Sequence, residues 1–484
     1  MITIPHPKNV FEIFLELTKI PRGSGNTKAV SDYCVDFAKR NSLWYRQDNA
    51  NNVIIKKNAS KGYENFEPVI IQGHLDMVCE KTPNNPINFE TDALEILTDG
   101  EYIFANNTTL GGDNGIAVAY ALAVLEADDI LHPALEVVLT TDEETGMDGA
   151  IALDCNDLKA KMLLNIDSEQ EGIFTVSCAG GINVTGELPL DFKSENERGI
   201  SIKICGLKGG HSGIEIAKKR ADANIIAGRL LQKLCENTKV RLSSINGGLK
   251  GNAIPSECTM ILCLDYNEQI KKLILDFEKL VREEFKNTDE GIKIIVTPFT
   301  DNMKLISYEG TKNVALLISK MPDGIKTMSG DIEGLVKTSS NLGILKTTNN
   351  GLTFLSSVRS SDESEKVQYS DEIINHITLH NGIAEKSDGY PAWEYLENSP
   401  LRNVMCRVYE EMYQKKPVTE AIHAGLECGI FCGKIKGLDC VSFGPDMLDI
   451  HTPKERLNIK SVERTWEFLK NVLRELKIEN RNLQ

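Results

Sequence analysis

The stretch from Val69 to Asp167 constrains the fold most, because short apolar runs alternate there with helical spacing. Each run leads into a histidine or a carboxylate: His74, the pair Glu143–Glu144, and Asp167. Strand, helix, strand order implies right-handed crossovers and a mainly parallel sheet. The carboxyl ends of such strands are where open α/β folds keep their chemistry. We therefore expect these polar side chains to meet at one edge of a sheet.

Composition narrows the class of protein. With 484 residues, 41% of them hydrophobic, the chain can bury more than one core. The formal charge of -16 disfavours a nucleic-acid surface, which needs clustered Lys and Arg. No run reaches the roughly eighteen apolar residues of a membrane span, and the N-terminus lacks a signal-peptide pattern. We expect a cytoplasmic protein that binds neither nucleic acid nor membrane.

The twelve cysteines are spread singly, many of them inside apolar runs. This usage is typical of reduced, buried thiols and not of a disulfide framework. Cys428 and Cys432 are four residues apart, but no second pair accompanies them. A structural zinc site is therefore not expected there.

Polar stretches near residues 188 and 386 divide the chain. Between them, alternating apolar runs and two helical stretches, Ala221–Cys235 and Gln269–Phe285, indicate an α+β domain with an antiparallel sheet. After the second polar stretch, the helix and strand patterns of the first part of the chain resume. We predict a catalytic α/β domain in two parts, 1–187 and 387–484, with a mainly parallel sheet between helices. An inserted lid or substrate domain would occupy 188–386.

The motif His74-Leu-Asp76 places both polar side chains on one side of an extended segment. His74 could bind a metal ion through one ring nitrogen while Asp76 orients the ring. Taken alone, the motif is also typical of an ordinary strand end.

Two acidic motifs are ambiguous in the same way. Asp113, in a glycine-rich turn, could bridge two cations or could cap the helix that follows. In Asp142-Glu143-Glu144, one glutamate could bind metal while the other acts as a base, or the motif could be a solvated loop.

Together the motifs favour a metal centre. Two histidines and three carboxylates make a nitrogen and oxygen ligand set that suits Zn²⁺, with Mn²⁺ and Co²⁺ as alternatives. One bridging carboxylate and two further ligands for each ion would leave room for water, which is the layout of a two-metal hydrolase. The candidate ligands are His74, Asp113, Glu144, Asp167 and His451.

The chain resembles the M20 metallopeptidases in five motifs: His74-Leu-Asp-Met-Val, Gly111-Gly-Asp-Asn-Gly, Thr140-Thr-Asp-Glu-Glu-Thr-Gly, Asn165-Ile-Asp-Ser-Glu-Gln-Glu-Gly and Asp449-Ile-His-Thr-Pro. Two more are similar to the aminoacyl-histidine (Xaa-His) dipeptidases, which are carnosinase-like: Gly209-Gly-His-Ser-Gly and Ala421-Ile-His-Ala-Gly-Leu-Glu-Cys-Gly. The likeness runs from the first helix to the last and spans both predicted domains.

The resemblance implies a role for each site residue. The implied metal ligands are His74 and Asp167 on one ion, Glu144 and His451 on the other, and Asp113 between the two. Asp76 would support His74, and Glu143 would be the general base and acid. A cis peptide bond is implied between Asp113 and Asn114.

In the inserted domain, the resemblance implies that His211 contacts the scissile carbonyl or its oxyanion; without the family, a turn-capping histidine is an equal interpretation. Arg359 is the candidate clamp for the peptide's C-terminal carboxylate. Asn252 and Glu427 are further candidate substrate contacts. The chain departs from the family at two positions. Ala217 stands where a histidine is usual, and Asp222 replaces a residue of the usual segment Arg-Gly-Asn-Ala. These departures leave open which substrate side chains the protein prefers.

Together with the predicted ligand set, the resemblance implies a zinc-dependent dipeptidase for Xaa-His and related dipeptides. A hydroxide bridging the two metal ions would attack the peptide carbonyl, with Glu143 as general base. The family also implies a homodimer. Another M20-type hydrolase (a tripeptidase, carboxypeptidase or N-acyl-amino-acid deacylase) is the alternative within enzymes. A non-catalytic M20-like binding or assembly protein is the alternative of a different class.

Overall fold

The computed structural model describes residues 3–195, 197–330, 332–387 and 389–478. Its helices are α1 (Lys8–Leu17), α2 (Lys28–Arg40), α3 (Gly112–Glu126), α4 (Asp148–Ala152), α5 (Ala223–Asn237), α6 (Glu268–Glu284), α7 (Tyr308–Ser319), α8 (Glu363–Leu379), α9 (Pro400–Tyr413), α10 (Glu427–Lys434) and α11 (Ile459–Glu475). Its strands are β1 (Trp44–Gln47), β2 (Val53–Lys57), β3 (Val69–His74), β4 (Ile96–Thr98), β5 (Tyr102–Ala105), β6 (Leu135–Thr140), β7 (Met162–Asn165), β8 (Ile173–Cys178), β9 (Gly180–Pro189), β10 (Lys193–Glu195), β11 (Gly199–Cys205), β12 (Gly210–His211), β13 (Arg241–Gly247), β14 (Ala253–Ile254), β15 (Cys258–Cys263), β16 (Lys293–Phe299), β17 (Met303–Leu305), β18 (Gly324–Met328), β19 (Val336–Thr347), β20 (Gly351–Ser360), β21 (Ile383–Lys386), β22 (Val418–Ile422), β23 (Asp439–Ser442), β24 (Met447–Leu448) and β25 (Arg456–Asn458).

The chain forms two compact units. The first contains the chain through Ser177, Tyr395–Ala421 and the chain from Leu426 onward; the second contains Cys178–Glu394 and Ile422–Gly425. The expected boundary between residues 187 and 188 lies inside β9, and the expected boundary after residue 386 directly follows β21. Both strands belong to the sheet of the second unit.

An eight-stranded sheet with the order β1-β2-β6-β3-β7-β23-β8-β22 organises the first unit. Its centre is parallel, since β3 pairs in parallel with β6 and β7, and β7 pairs in parallel with β23. The flanking strands β1, β2 and β8 pair antiparallel. Strand β3, whose six residues are all buried, therefore carries its last residue, His74, into the middle of the sheet edge.

Helix α3 packs against this sheet and is buried on nearly every side. Its segment Ile116–Leu125 is entirely buried, consistent with its almost uniformly apolar sequence. Its first turn is irregular, because Asp113 and Asn114 have non-helical backbone angles and the peptide bond between them is cis. The predicted cis bond is thus present at the start of the helix that carries Asp113.

The second unit contains a nine-stranded antiparallel sheet with the order β16-β11-β15-β13-β19-β20-β9-β21, to which β18 adds on β19. Helices α5 to α8 supply the apolar faces that, with the sheet, form a separate core. The predicted fold class is confirmed: an α/β unit with a largely parallel central sheet and an α+β insertion with antiparallel strands. Within the described residues, no helix combines the length and apolarity needed to cross a bilayer.

Candidate metal centre

The packing of α3 on β3 positions the strand ends that carry candidate ligands. Gly73 permits this approach, because a Cβ atom there would lie 2.4 Å from Asn114 Oδ1. Asn114 Oδ1 instead accepts a hydrogen bond from the backbone N–H of His74 (3.1 Å), and Asn114 Nδ2 donates to the carbonyl of Ile166 (2.6 Å). One amide side chain therefore ties together the strand ends that present His74 and Asp167.

The five predicted ligands lie together. His74 Nε2 is 3.2 Å from Asp113 Oδ1 and 3.6 Å from Asp167 Oδ1. His451 Nε2 is 3.0 Å from both Asp113 Oδ2 and Glu144 Oε1. Asp113 thus presents one carboxylate oxygen to each histidine, as a bridging ligand would.

These distances suit divalent ions. Two ligands at about 2.0–2.1 Å from a tetrahedral zinc ion are themselves roughly 3.3–3.4 Å apart, close to the separations between each histidine and its carboxylates. Ligand atoms of His74, Asp113 and Glu144 all lie within 4.8 Å of one another. Burial raises the pKa of Asp167 to about 6; His74 opposes this shift, and the charges of Asp113 and Glu144 add to it. Cations would therefore stabilise this crowded acidic group.

The exposure of the ligands differs sharply across the centre. The side chain of His74 is 1% exposed, whereas that of His451 is 46% exposed. The centre therefore opens to solvent on the His451 side.

Asp76 supports both the ring of His74 and the loop after β6. Its Oδ1 lies 3.3 Å from His74 Nδ1 and accepts a hydrogen bond from the Glu143 N–H, while Oδ2 accepts from the Glu144 N–H and from Ser24 Oγ. Burial alone would raise the pKa of Asp76, but these contacts, led by that with His74, outweigh burial and lower it to about 2. Asp76 therefore stays ionised and can hold the imidazole in one orientation.

Glu143 has the electrostatics of a proton acceptor. Burial is the main cause that raises its pKa well above the usual value, and the charges of Asp167, Glu427 and Glu144 add to it. A carboxylate with a raised pKa can take up a proton and return it during a reaction near neutral pH.

Two buried residues that the sequence analysis missed hold the loop before α3. Glu455 Oε2 accepts from the N–H groups of Leu110 and Gly111, and Oε1 accepts from those of Gly112 and Asp113. Arg22 donates to the carbonyl groups of Leu75, Asp76 and Gly111. These bonds fix the loop that presents Asp113.

Local signals for the two residues were weak. Arg22 lies in a glycine-rich segment that is typical of a turn between two helices. Glu455 lies four residues after His451 in a polar loop. Arg22 is 2% exposed and Glu455 is 3% exposed. Only the tertiary structure shows that they are buried and bonded.

Changing Glu455 to Gln should weaken metal binding. The single amide oxygen of Gln can keep at most the bonds made by one of the two carboxylate oxygens, so the loop carrying Asp113 loosens. We expect metal affinity, measured by chelator competition, to fall by about 10- to 100-fold. The matched change at the exposed Glu101 should leave affinity unaltered; equal affinities for the two variants would contradict this role for Glu455.

Three predicted substrate residues lie in the second unit. His211 Nδ1 accepts from the N–H groups of Gly213 and Ile214, which leaves the proton of the neutral ring on Nε2. Arg359 is 8% exposed and donates to Tyr390 Oη at 2.7 Å. Asn252 is exposed. Their contacts with a substrate stay predictions.

The remaining residues that the sequence analysis named are Glu427, Asp222 and Ala217. Glu427, at the start of α10, is fully buried and accepts from Gln72 Nε2 and Thr140 Oγ1. Burial raises its pKa to about 8. Asp222 caps α5 by accepting from two backbone N–H groups, and Ala217 is exposed in a short 3₁₀ turn. Substrate binding by Glu427 also stays a prediction.

The chain matches known proteins along most of its length. The model of peptidase family M20/M25/M40 matches residues 70–475. The cytosol non-specific dipeptidase of Escherichia coli (strain K12) is 34% identical over 474 residues, which cover 97% of this chain and 98% of that protein. The crystal structure of the aminoacylhistidine dipeptidase from Vibrio alginolyticus is 33% identical, with a TM-score of 0.89, and the match covers 97% of this chain and 96% of that one.

A more distant structure agrees in fold. The aminopeptidase PepT from Bacillus cereus superimposes with a TM-score of 0.56 at 15% identity, covering 98% of this chain and all of that one. The family model spans well over half of the sequence, and the E. coli relative exceeds 30% identity over nearly the whole chain. The chain therefore belongs to peptidase family M20/M25/M40.

Proposed function

We propose that this protein is a zinc-dependent dipeptidase whose substrates include Xaa-His dipeptides. The proposal rests on the position of Asp113, whose two carboxylate oxygens each face a different histidine. Glu143, whose pKa is raised, belongs to the same group of acidic residues. The names of the E. coli and Vibrio relatives support dipeptides as the substrate class.

Two divalent ions fit the ligand set. His74 and Asp167 would hold one, Glu144 and His451 the other, and Asp113 would join both. When bound, such ions polarise a carbonyl oxygen and lower the pKa of water.

The chain's own residues divide the remaining work. Glu143 would take a proton from the attacking water and deliver it to the leaving amine, because its raised pKa lets it hold a proton between the two steps. Asp76 would keep the His74 ring oriented, since it contacts the ring nitrogen opposite the one that faces Asp113.

The second unit offers a cationic group that suits a substrate carboxylate. Burial and then the charge of Arg359 lower the pKa of both His211 and His423, to about 3 for His423, so both rings stay neutral beside the guanidinium. Among the described residues, no carboxylate forms an ion pair with Arg359, and its Nε is buried without a hydrogen-bond partner. We propose that Arg359 binds the C-terminal carboxylate of the dipeptide.

Replacing Arg359 by Lys should separate substrates by their C-terminus. Lysine cannot make a bidentate contact with a carboxylate, so kcat/KM for a free-acid dipeptide should fall by about tenfold or more. The corresponding dipeptide amide should be hydrolysed at the rate of the parent enzyme. Arg198→Lys, at an exposed position, is the control; a loss of equal size for acid and amide would exclude a carboxylate clamp.

The proposed function is tested by the hydrolysis of four compounds: Ala-His, β-Ala-His, Gly-Gly-Gly and N-acetyl-ornithine. Metal-free protein is assayed without metal and with added Zn²⁺, Mn²⁺ or Co²⁺. Zinc-dependent cleavage of the dipeptides alone is the expected result. Cleavage only of the tripeptide or of the acyl compound would keep the metal centre and overturn the substrate class. Inactivity with every divalent metal would favour a non-catalytic protein.

We also propose that the protein works in the cytosol as a homodimer. The cytosolic location is supported by the name of the E. coli relative and by the scattered cysteines, all twelve of which are free thiols. The dimer is an expectation from the family.

A further inference from the structure

A second candidate site lies within the second unit. A cavity of about 390 Å³ opens between the turn at residues 216–222 and strand β18. This volume falls within the range of small-molecule sites. Its walls combine two aspartates with apolar side chains, a combination that the proposed hydrolysis does not use.

Asp222 lines this cavity and has one buried carboxylate oxygen that no group of the described residues satisfies. Its Oδ1 accepts from the N–H groups of Asn224 and Ile225 and so caps α5. Its Oδ2 is buried and lacks a hydrogen-bond partner within the described part of the chain, and the residue as a whole is only 6% exposed. A buried, unpaired carboxylate oxygen is costly unless a donor reaches it.

Asp323 is the second carboxylate of the cavity. It accepts from the N–H of Leu342 at 2.7 Å, and Asn224, two residues after Asp222, donates to the carbonyl of the same leucine at 2.9 Å. The first turn of α5, which Asp222 caps, and the carboxylate of Asp323 therefore both contact Leu342 of β19. Burial and the charge of Asp323 raise the pKa of Asp222, and burial raises that of Asp323 to about 6.

The cations on the same wall do not neutralise the aspartates. Arg220 is already engaged, because it pairs with Glu215 at 2.9 Å and donates to the carbonyl of Gly209. Lys219 is exposed; its backbone N–H donates to the carbonyl of Ile216, but its ammonium group forms no hydrogen bond or ion pair within the described residues. The cavity thus has an acidic pair inside and a free ammonium group in its lining.

The rest of the lining is largely apolar and includes Ile254, Ile325 and Met328. A bare cation would satisfy the aspartates but would leave most of the cavity filled with water, at about 30 Å³ for each molecule. A ligand with an ammonium group and an apolar body would use both kinds of wall.

We propose that this cavity binds a free α-amino acid with an apolar side chain. Its ammonium group donates to Asp222 Oδ2 and to Asp323, its side chain packs against Ile254, Ile325 and Met328, and its carboxylate faces Lys219. Hydrolysis of a dipeptide releases free amino acids, so the site would respond to products of the reaction; that consequence alone rests on the proposed function.

The test is calorimetric titration of L-leucine into the full-length, zinc-loaded Glu143→Gln variant, in which no hydrolysis interferes. Asp222→Asn is then added to this background. Asn keeps the helix cap but removes the charge, so the affinity for leucine should fall at least tenfold. Asp323→Asn should cause a similar loss. Asp362→Asn, at the aspartate that caps α8, is the matched control and should bind leucine as the parent does.

Analogues of leucine identify the recognised group. 4-Methylpentanoate, which lacks the ammonium group, should not bind, whereas 3-methylbutylamine, which lacks the carboxylate, should bind more weakly than leucine. Titrations with KCl and CaCl₂ cover bare cations. Leucine binding that is equal in the parent, Asp222→Asn and Asp323→Asn variants would overturn the proposal. A result in which the two variants lose binding of calcium or potassium but not of leucine would also overturn it. These outcomes do not depend on whether the protein hydrolyses dipeptides.

Discussion

Glu143→Gln is expected to lower kcat for dipeptide hydrolysis by about 10²- to 10⁴-fold, the usual contribution of a general acid–base group. Glutamine has nearly the same shape as glutamate but cannot accept and return a proton. The backbone N–H of Glu143, which bonds to Asp76, is unchanged by the substitution. Metal content, measured by elemental analysis, should therefore equal that of the parent enzyme.

The control for this prediction is Glu90→Gln, the same chemical change at an exposed glutamate of the first unit. It should leave both kcat and metal content unchanged. Near-normal activity of Glu143→Gln would remove Glu143 from the role of base. A loss of activity that is accompanied by loss of metal would instead make Glu143 a ligand.

Asp113→Asn should remove metal as well as activity. The two oxygens of Asp113 face different histidines, His74 and His451, and Asn can offer an oxygen to only one of them. We expect the variant to hold one ion or fewer for each chain. Activity should fall more than about 100-fold, beyond the loss that follows removal of a merely supporting partner.

Asp128→Asn is the matched control, because Asp128 is exposed and lies just after α3, the helix that carries Asp113 in its first turn. Elemental analysis after gel filtration gives the metal content, and thermal unfolding shows whether the fold is retained. A folded Asp113→Asn protein that still bound two ions would show that this carboxylate does not bridge.

Much of the first unit was predictable because its signals are local. Apolar runs of β character predicted the central strands. His74, Glu144 and Asp167 each come soon after such a run, and Asp113 lies in the first turn of the helix α3. The parallel order then brings the strand ends together, so His74 and Asp167 meet although more than ninety residues of sequence separate them.

Other features depend on contacts that leave no local pattern. Glu455 binds four backbone N–H groups of a loop that is distant in sequence. Residues 422–425 belong to the second unit, where the N–H of Ala179 bonds to the carbonyl groups of Ile422 and Ala424. A short excursion of this kind does not alter composition or hydrophobic periodicity, so the sequence analysis assigned it to the catalytic part.

Helix ends were less accurate than helix positions. The expected helix from Ala221 begins instead at Ala223, because the side chain of Asp222 accepts from the N–H groups of Asn224 and Ile225 and stops the helix there. The same residue was noted in the sequence only as a departure from the family pattern. Its second oxygen, buried and unpaired, is visible only in the structure.

A two-metal centre is tested by a zinc titration of metal-free protein, with bound metal and Ala-His hydrolysis measured on the same samples. We expect saturation at two ions for each chain and no hydrolysis before zinc is added. Activity in the fully metal-free protein, or saturation of binding and activity at a single ion, would contradict a two-metal centre bridged by Asp113.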